Sequence, residues 1–256
     1  MPLASKNQLV KKIKEKKELS GIEDKAVLKT LENYLEKYKI SFDKILPSDA
    51  KILVKEIRAV LRKLVGQYYA GRNLSESDLS SHVSLKERAD FYQKLNSLLK
   101  ELKVKSVFDL GCGLNPIAVA SPDLKYFASD IDNNCLSLVK KYFRKNKING
   151  EIFYCDLRNI KEEFPKTDIC FLFKVLDTLE KKHAENILKK IQSEKILVSF
   201  ASHKLSGKKM NFPERRWFEK LLDRLNFKYT KFYSDKEIFY LLKQEKPSLP
   251  TTQGTQ

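Results

Sequence analysis

The segment Ser106-Val107-Phe108-Asp109-Leu110-Gly111-Cys112-Gly113 joins a strand-like apolar run to a turn that contains two glycines. Glycine tolerates backbone conformations that other residues avoid and lets the chain approach a ligand closely. In open α/β sheets, ligands bind at the carboxyl ends of the strands, next to turns of this kind. The segment therefore predicts the first strand of an α/β sheet with a ligand site at its carboxyl edge.

Strand-like runs follow this turn at residues 126–130, 152–156, 168–173 and 195–200. Charged helical stretches separate the later runs, for example at 134–146 and 181–191. Such alternation predicts a doubly wound, mainly parallel sheet. A helix near 213–225 and strands at 227–233 and 237–242 complete a predicted α/β fold with seven strands. The short link between the last two strands predicts that they pair antiparallel.

The chain before this region is predicted to be helical. Apolar residues recur at helical spacing at Val27, Leu28, Leu31, Tyr34 and Leu35 and again at Leu53, Ile57, Val60, Leu61 and Leu64. Pro47, Ser48 and Asp49 interrupt the helical pattern and are expected to cap the second of these helices. We predict a helical domain over residues 1–80 and an α/β domain over 81–244 that starts with a helix capped at Ser84. The tail, 245–256, is predicted to be disordered.

The composition narrows the class of protein. The 256 residues include 50 Lys and Arg against 33 Asp and Glu, and this net charge of +17 favours a polyanionic partner. A hydrophobic content of 42% excludes a wholly disordered chain. The sequence has no apolar run of ~20 residues and no signal sequence, so we expect a cytoplasmic protein outside the membrane. It has no C-x-x-C or histidine metal motif, so we expect no bound metal. We also expect a monomer.

A basic stripe lies on the second predicted N-terminal helix. Lys51, Lys55, Arg58 and Arg62 recur at helical spacing beside the apolar face. Charge runs of this kind are often only solvated faces. Because Glu56 is the sole acid among these residues, we interpret the stripe as a phosphate-binding surface.

Two acidic residues stand at the ends of the two predicted strands that follow the glycine turn. Asp130 ends the second predicted strand, where a carboxylate can bind ribose hydroxyls, and Asp156 ends the third, where an adenine would lie. With D-x-G-x-G, this spacing is typical of S-adenosylmethionine-dependent methyltransferases, whereas Asn115 and Pro116 replace the third glycine of nicotinamide-binding enzymes. The segment 173–177 lacks the Asn/Asp-Pro-Pro-aromatic run of exocyclic-amine methyltransferases, and no Pro-Cys pair suits attack on a pyrimidine.

These motifs together resemble the ribosomal RNA guanine-N7 methyltransferases that confer aminoglycoside resistance. The family patterns H-x-S-x-x-E-R, D-x-G-C-G-x-N-P and D-I-D are similar to residues 82–88, 109–116 and 130–132. Further similar stretches lie at residues 9–13, 66–69, 171–176, 196–200, 205–208, 217–219 and 237–242. The resemblance covers nearly the whole chain short of the tail.

The resemblance implies an S-adenosylmethionine-dependent enzyme whose helical N-terminal domain docks on 16S rRNA in the 30S subunit. It would methylate N7 of a guanine at the aminoglycoside site. The implied cofactor residues are Arg88 for the methionine carboxylate, Gly111 for the methionine portion, Asp130 for the ribose, Asp156 with Leu157 for the adenine, and Gly113, Ile131 and Phe173 elsewhere in the pocket. An alternative, in which Asp130 and Asp156 only cap strand-to-helix turns, stays open, above all for Asp156.

The target side of the pocket is assigned to His203, Lys204, Lys208 and Trp217. Guanine N7 has an in-plane lone pair and no proton, so methyl transfer needs positioning and no general base. We therefore predict no catalytic acid or base. Trp217 and Phe218 are candidates for stacking on the base, with packing in the core as the alternative.

Three residues depart from the family pattern on the target side. His203 stands where a basic residue is usual, Lys204 where serine is usual, and Asp177 where proline is common. Two other functions therefore stay open: methylation of another RNA, such as tRNA, and ribosome binding with a vestigial cofactor pocket. A small-molecule methyltransferase is disfavoured by the charge of +17.

Overall fold

A mixed sheet of seven strands forms the centre of the molecule. The computed structural model describes residues 5–46, 48–65, 89–160, 163–204, 206–234 and 236–244. The strand order is β3-β2-β1-β4-β5-β7-β6, and β7 runs antiparallel to both of its neighbours while the other pairs are parallel. The predicted seven-stranded α/β fold and the antiparallel last pair are confirmed.

The strands are β1 Ser106–Leu110, β2 Lys125–Asp130, β3 Gly150–Tyr154, β4 Ile169–Phe173, β5 Lys195–Ala201, β6 Phe227–Ser234 and β7 Glu237–Gln244. The α-helices are α1 Lys6–Lys14, α2 Asp24–Lys37, α3 Asp49–Leu64, α4 Ala89–Glu101, α5 Asn115–Val119, α6 Asn133–Lys145, α7 Lys181–Lys190 and α8 Arg216–Arg224. Short 3-10 turns lie at Lys17–Leu19, Phe42–Lys44 and Leu176–Thr178.

The third strand starts and ends earlier in the chain than predicted. The third strand was expected over 152–156, but β3 ends at Tyr154, opposite the last residue of β2. Asp156 then turns the chain, because its Oδ1 accepts the backbone N–H of Arg158 at 3.0 Å and its carbonyl oxygen accepts that of Asn159 at 2.8 Å. Asx turns of this kind compete with strand pairing.

Both faces of the sheet are buried. In β4, Cys170 and Leu172 belong to the hydrophobic cluster on one face, and Ile169, Phe171 and Phe173 belong to the cluster on the other. All five residues of this strand are buried. The run of consecutive apolar residues is typical of a parallel strand covered by helices on both sides.

The N-terminal helices form a third hydrophobic cluster that packs against the carboxyl end of β2. Leu53, Ile57 and Leu61 of α3 are buried in this cluster together with Ile131, which follows β2. The backbone N–H of Asn133 donates to the carbonyl oxygen of Gly21 at 3.0 Å. The helical region therefore lies next to the turn that carries Asp130.

The predicted cap of α3 differs in detail. Ser48 occupies the N-cap position, but its hydroxyl donates to Asp49 Oδ1 at 3.3 Å and bonds no backbone N–H of the helix.

The predicted Ser84 cap, Arg88 and the tail over 245–256 lie outside the described residues. In the part of the chain that the structure describes, no helix is long and apolar enough to cross a membrane.

Candidate cofactor-binding site

A cleft that is open to solvent lies at the carboxyl ends of β1, β2, β3 and β4. Its lining residues are Leu64, Val65, Gly111, Gly113, Asp130, Ile131, Cys155, Asp156, Leu157, Phe173, Lys174, Val175, Thr178 and Leu179. Every predicted cofactor residue is among them except Arg88, which lies outside the described residues. Residues from four separate segments of the sequence are thus brought to one site.

The glycine turn after β1 forms the floor of this cleft. Gly111 has φ +68° and Gly113 has φ +50°, both in the left-handed region that favours glycine. A Cβ on Gly111 would lie 2.6 Å from Cγ2 of Val175, whereas a Cβ on Gly113 would meet no atom within 4 Å. Gly111 therefore supplies free space beside the β4 loop, and Gly113 supplies a backbone conformation.

Asp130 is held by backbone donors at the end of β2. Its Oδ2 accepts the N–H of Gly113 at 2.9 Å, and its Oδ1 accepts the N–H of Asp132 at 3.0 Å. Burial raises the pKa of this carboxyl group to about 6, although these hydrogen bonds oppose the rise. The geometry leaves a fixed acceptor group on the cleft wall, as a ribose-binding carboxylate requires.

Asp156 lines the cleft and is also bound to a neighbouring arginine. Arg158 donates from Nε to Asp156 Oδ1 at 2.9 Å and from Nη2 to Oδ2 at 2.7 Å. The same guanidinium donates from Nη1 to Oγ1 of Thr30 in α2 at 2.8 Å. The capping interpretation of Asp156 is consistent with this geometry, and the residue still faces the cleft.

Lys174 places a cation on the cleft wall that the sequence analysis did not assign. Its backbone is left-handed, with φ +59°, and its Nζ lies 3.2 Å from Oε1 of Glu237. Glu237 is only 3% exposed, and its Oε2 accepts the hydroxyl of Ser199 at 2.6 Å. The pair brings opposite charges from β7 and the β4 loop together, a contact that no local sequence pattern predicts.

The helical region contributes to the cleft as well. Leu64 and Val65, at the end of α3, are among the lining residues. They carry no motif, and only the packing of α3 against the β2 end of the sheet places them there.

The basic stripe on α3 is divided in the structure. Lys51 and Lys55 are exposed to solvent. Arg58, in contrast, donates to the carbonyl oxygens of Lys12 and Ile13. Arg62 donates from Nε and Nη2 to Oε1 of Glu18, at 2.9 and 2.8 Å. Two of the four predicted phosphate ligands thus bind within the chain, and three of them, Lys51, Lys55 and Arg62, are exposed to solvent.

The other predicted target-side residues are not on the cleft lining that the structure describes. Lys204 and Lys208 are exposed, and His203 pairs with Lys209 through an isolated β-bridge. Trp217 is half-buried and packs against the ring of Phe200, with centroids 6.1 Å apart. Phe218 is fully buried, so the packing alternative describes the position of these two rings.

Solved structures with the same fold include rRNA methylases. The 16S rRNA methylase RmtB matches with a TM-score of 0.73 and 21% identity, over 96% of this chain and 100% of that one. The 16S rRNA methyltransferase RmtF, solved with S-adenosyl-L-homocysteine, matches with a TM-score of 0.72 and 20% identity, over 94% and 98%. The 16S rRNA methylase ArmA matches with a TM-score of 0.51 and 26% identity, over 72% and 97%.

No curated protein sequence matches the chain significantly. The model of the ribosomal RNA methyltransferase family FmrO does match, over residues 20–240, which include α2 and α3, the glycine turn and the whole cleft that the structure describes. The prediction of an S-adenosylmethionine-dependent RNA methyltransferase is thereby confirmed. The chain belongs to the ribosomal RNA methyltransferase (FmrO) family.

Proposed function

We propose that this enzyme methylates N7 of guanine 1405 of 16S rRNA in the assembled 30S subunit and so gives aminoglycoside resistance. The observation that carries the proposal is the cleft itself. Gly111, Asp130, Asp156 and Phe173 were assigned to one ligand from motifs far apart in the sequence, and they line one cleft. The 16S rRNA methylases among the structural matches support the choice of target.

The residues present fit S-adenosylmethionine. The fixed carboxylate of Asp130 suits a ribose, and the space beside Gly111 would be filled by a single methyl group on that residue. Leu157 and Ile131 also line the cleft and offer apolar surface of the kind that an adenine ring requires. When bound, S-adenosylmethionine supplies a methyl group activated by a sulfonium centre.

The residues of the chain need only to position the reactants. Because guanine N7 carries a lone pair and no proton, no side chain has to remove a proton before the methyl group is transferred. Asp130 orients the ribose by accepting hydrogen bonds from its hydroxyl groups, and Gly111 leaves space in the cleft because it has no side chain. The ion pair of Lys174 with Glu237 adds little net charge next to a base that becomes positive.

Binding of rRNA is assigned to the exposed cations. The net charge of +17 favours a polyanion, and Lys51, Lys55, Lys204 and Lys208 are exposed to solvent. We propose that residues 1–80 form the rRNA-docking domain, that 81–244 form the methyltransferase domain, and that the protein acts as a cytoplasmic monomer. Arg58 and Arg62 stabilise the docking domain, whereas Lys51 and Lys55 contact the RNA.

Transfer of labelled methyl groups to 30S subunits, naked 16S rRNA and bulk tRNA, measured side by side, tests this function. Labelled RNA is then cleaved at 7-methylguanosine by borohydride and aniline. We expect label on 30S subunits only, with a single cleavage in the decoding region. Label on tRNA would move the target to another RNA. No label on any RNA, with no cofactor binding, would favour a ribosome-binding protein with a vestigial pocket.

A further inference from the structure

One guanidinium joins the wall of the cleft to a second loop. Arg215, directly before α8, donates from Nε to Oδ1 of Asp177 at 3.0 Å and from Nη2 to Oδ2 at 2.7 Å. Its Nη2 also donates to the carbonyl oxygen of Ala201 at 3.1 Å, and its Nη1 donates to that of Pro213. The guanidinium stacks over the ring of Phe200, 5.3 Å from the centroid. With 12% of its side chain exposed, Arg215 is largely shielded from solvent.

Asp177 belongs to the segment that forms the cleft wall between β4 and α7. Lys174, Val175 and Thr178 of this segment line the cleft. The N–H of Thr178 donates to the carbonyl oxygen of Val175 at 3.0 Å, so the segment is a tight turn. Asp177 is therefore held in a turn whose other residues line the cleft.

The other side of this contact is a basic loop, defined here as residues 202–204 and 206–214. The N–H of Lys204 donates to the carbonyl oxygen of Lys208 at 2.8 Å, and the N–H of Met210 donates to that of Ser202 at 2.9 Å. These bonds make an arm with Lys204, Lys208 and Lys209 exposed on it. Arg215 anchors both ends of the arm, at Ala201 and at Pro213.

The arm also presents an aromatic ring to solvent. Phe212 is 76% exposed and immediately precedes Pro213. Cations that bind phosphates, combined with an exposed ring on which a base stacks, are the two features of a surface for unpaired nucleotides. The arm is therefore suited to nucleotides next to the one that enters the cleft.

We propose that Asp177 and Arg215 are positioning residues for the RNA substrate. Their ion pair, named here the Asp177–Arg215 clasp, fixes the basic loop relative to the cleft wall, so that the arm holds the flanking nucleotides while the target base reaches the cleft. Arginine suits this role because its planar group binds a carboxylate with two parallel hydrogen bonds. The inference rests on the proposed function in that the substrate is RNA.

The test compares Asp177→Ala, Asp177→Asn and the control Arg224→Gln. Arg224 lies at the other end of α8 and forms an exposed ion pair with Glu185, so its loss removes a similar contact away from the cleft. We expect Asp177→Ala to raise KM for the RNA that the wild type methylates by about tenfold or more, since small misplacements of substrate have effects of this size. The changes in kcat and in the Kd for S-adenosylhomocysteine should be much smaller. Asp177→Asn keeps one acceptor oxygen, so its KM should lie between those of the wild type and Asp177→Ala. The KM of Arg224→Gln should match that of the wild type.

Hydrogen exchange of the backbone amides in the basic loop gives a readout without RNA or cofactor. We expect exchange there to become several-fold faster in Asp177→Ala and to stay unchanged in Arg224→Gln. Unchanged hydrogen exchange and an unchanged KM in Asp177→Ala would contradict the proposed role of the Asp177–Arg215 clasp. Equal losses of kcat, cofactor affinity and melting temperature would also overturn it, because they indicate a purely structural contact. A wild type that methylates tRNA but not 30S subunits would overturn the proposed target and leave the clasp to be judged on tRNA.

Discussion

At the scale of single residues, Asp130 is the side chain whose charge state the fold sets most clearly. Burial raises the pKa of its carboxyl group to about 6, above the ordinary value near 4 of an aspartic acid. A raised pKa means that the protonated form is favoured by the folded, cofactor-free protein. The corresponding contribution to stability is present at low pH and is lost as the pH rises through about 6.

Cofactor binding should depend on pH in the opposite sense. An ionised Asp130 accepts hydrogen bonds from ribose hydroxyls, so protonation weakens binding. Lowering the pH from about 7.5 to about 5 should weaken the affinity for S-adenosylhomocysteine by about tenfold, one pH unit below the pKa corresponding to a factor of ten. Calorimetric titration at both pH values measures this. Asp130→Asn should bind weakly at both, and a wild-type affinity that does not vary with pH would contradict the assignment.

The two glycines of the turn provide a matched pair of substitutions. Gly113→Ala has open space for its methyl group and should lose only about 1–2 kcal/mol of stability from the left-handed backbone. Gly111→Ala carries the same backbone penalty and also drives a methyl group to 2.6 Å from Val175. We expect Gly111→Ala to weaken S-adenosylhomocysteine binding by more than tenfold and Gly113→Ala to weaken it far less. Equal affinities in the two variants, with both folded by circular dichroism, would refute the role given to Gly111.

At the scale of elements, α3 carries two cations that bind within the chain, Arg58 and Arg62, and two exposed cations, Lys51 and Lys55, that we propose bind RNA. The carbonyl oxygens in the last turn of a helix lack partners within that helix. Arg58 of α3 supplies partners to two of them in α1, at Lys12 and Ile13. The four cations of the stripe therefore differ in their partners although all of them recur at helical spacing.

Substitutions on α3 should separate these two roles. Arg58→Ala should lower the free energy of unfolding by about 1–3 kcal/mol, since it removes charged donors from two carbonyl oxygens. The double change Lys51→Glu with Lys55→Glu should leave stability within about 0.5 kcal/mol of wild type, because both side chains are exposed. It should strongly weaken 30S binding and reduce its dependence on salt. Denaturant unfolding and filter binding distinguish the two, and 30S affinity that survives the double reversal would leave Lys51 and Lys55 as a solvated face.

At the scale of the whole molecule, Arg158 connects the helical region to the cofactor cleft. Its guanidinium donates hydrogen bonds to Asp156 in the cleft and to Thr30 in α2. Thr30 and Arg158 are 128 positions apart in the sequence. Only 12% of its side chain and 13% of that of Asp156 are exposed. Nearby, Asn133 bonds Gly21, and Leu64 of α3 lines the cleft. The cleft and the helical region thus share residues, and we expect cofactor binding to depend on how the helical region is placed.

Removal of this link should affect both regions together. Arg158→Ala leaves the largely buried carboxylate of Asp156 without its partner, which should lower the free energy of unfolding by about 3 kcal/mol. The melting temperature should fall by roughly 6–12 °C. The double variant Arg158→Leu with Asp156→Asn removes both charges and should recover much of this loss. Differential scanning calorimetry of both variants checks the prediction, and a single variant as stable as wild type would show that the contact is dispensable.

The seven-stranded sheet, the glycine turn and the position of Asp130 at the end of β2 could be predicted from the amino-acid sequence alone. These features follow from patterns within a few residues: apolar runs, glycines after a strand, and an acid at a strand end. Packing sets which cations are exposed, that Arg158 joins Asp156 to Thr30 of α2, that Glu237 pairs with Lys174, and that Trp217 packs against the core. Each of these outcomes depends on partners from distant segments, and a partner that only packing brings near leaves no local pattern in the chain.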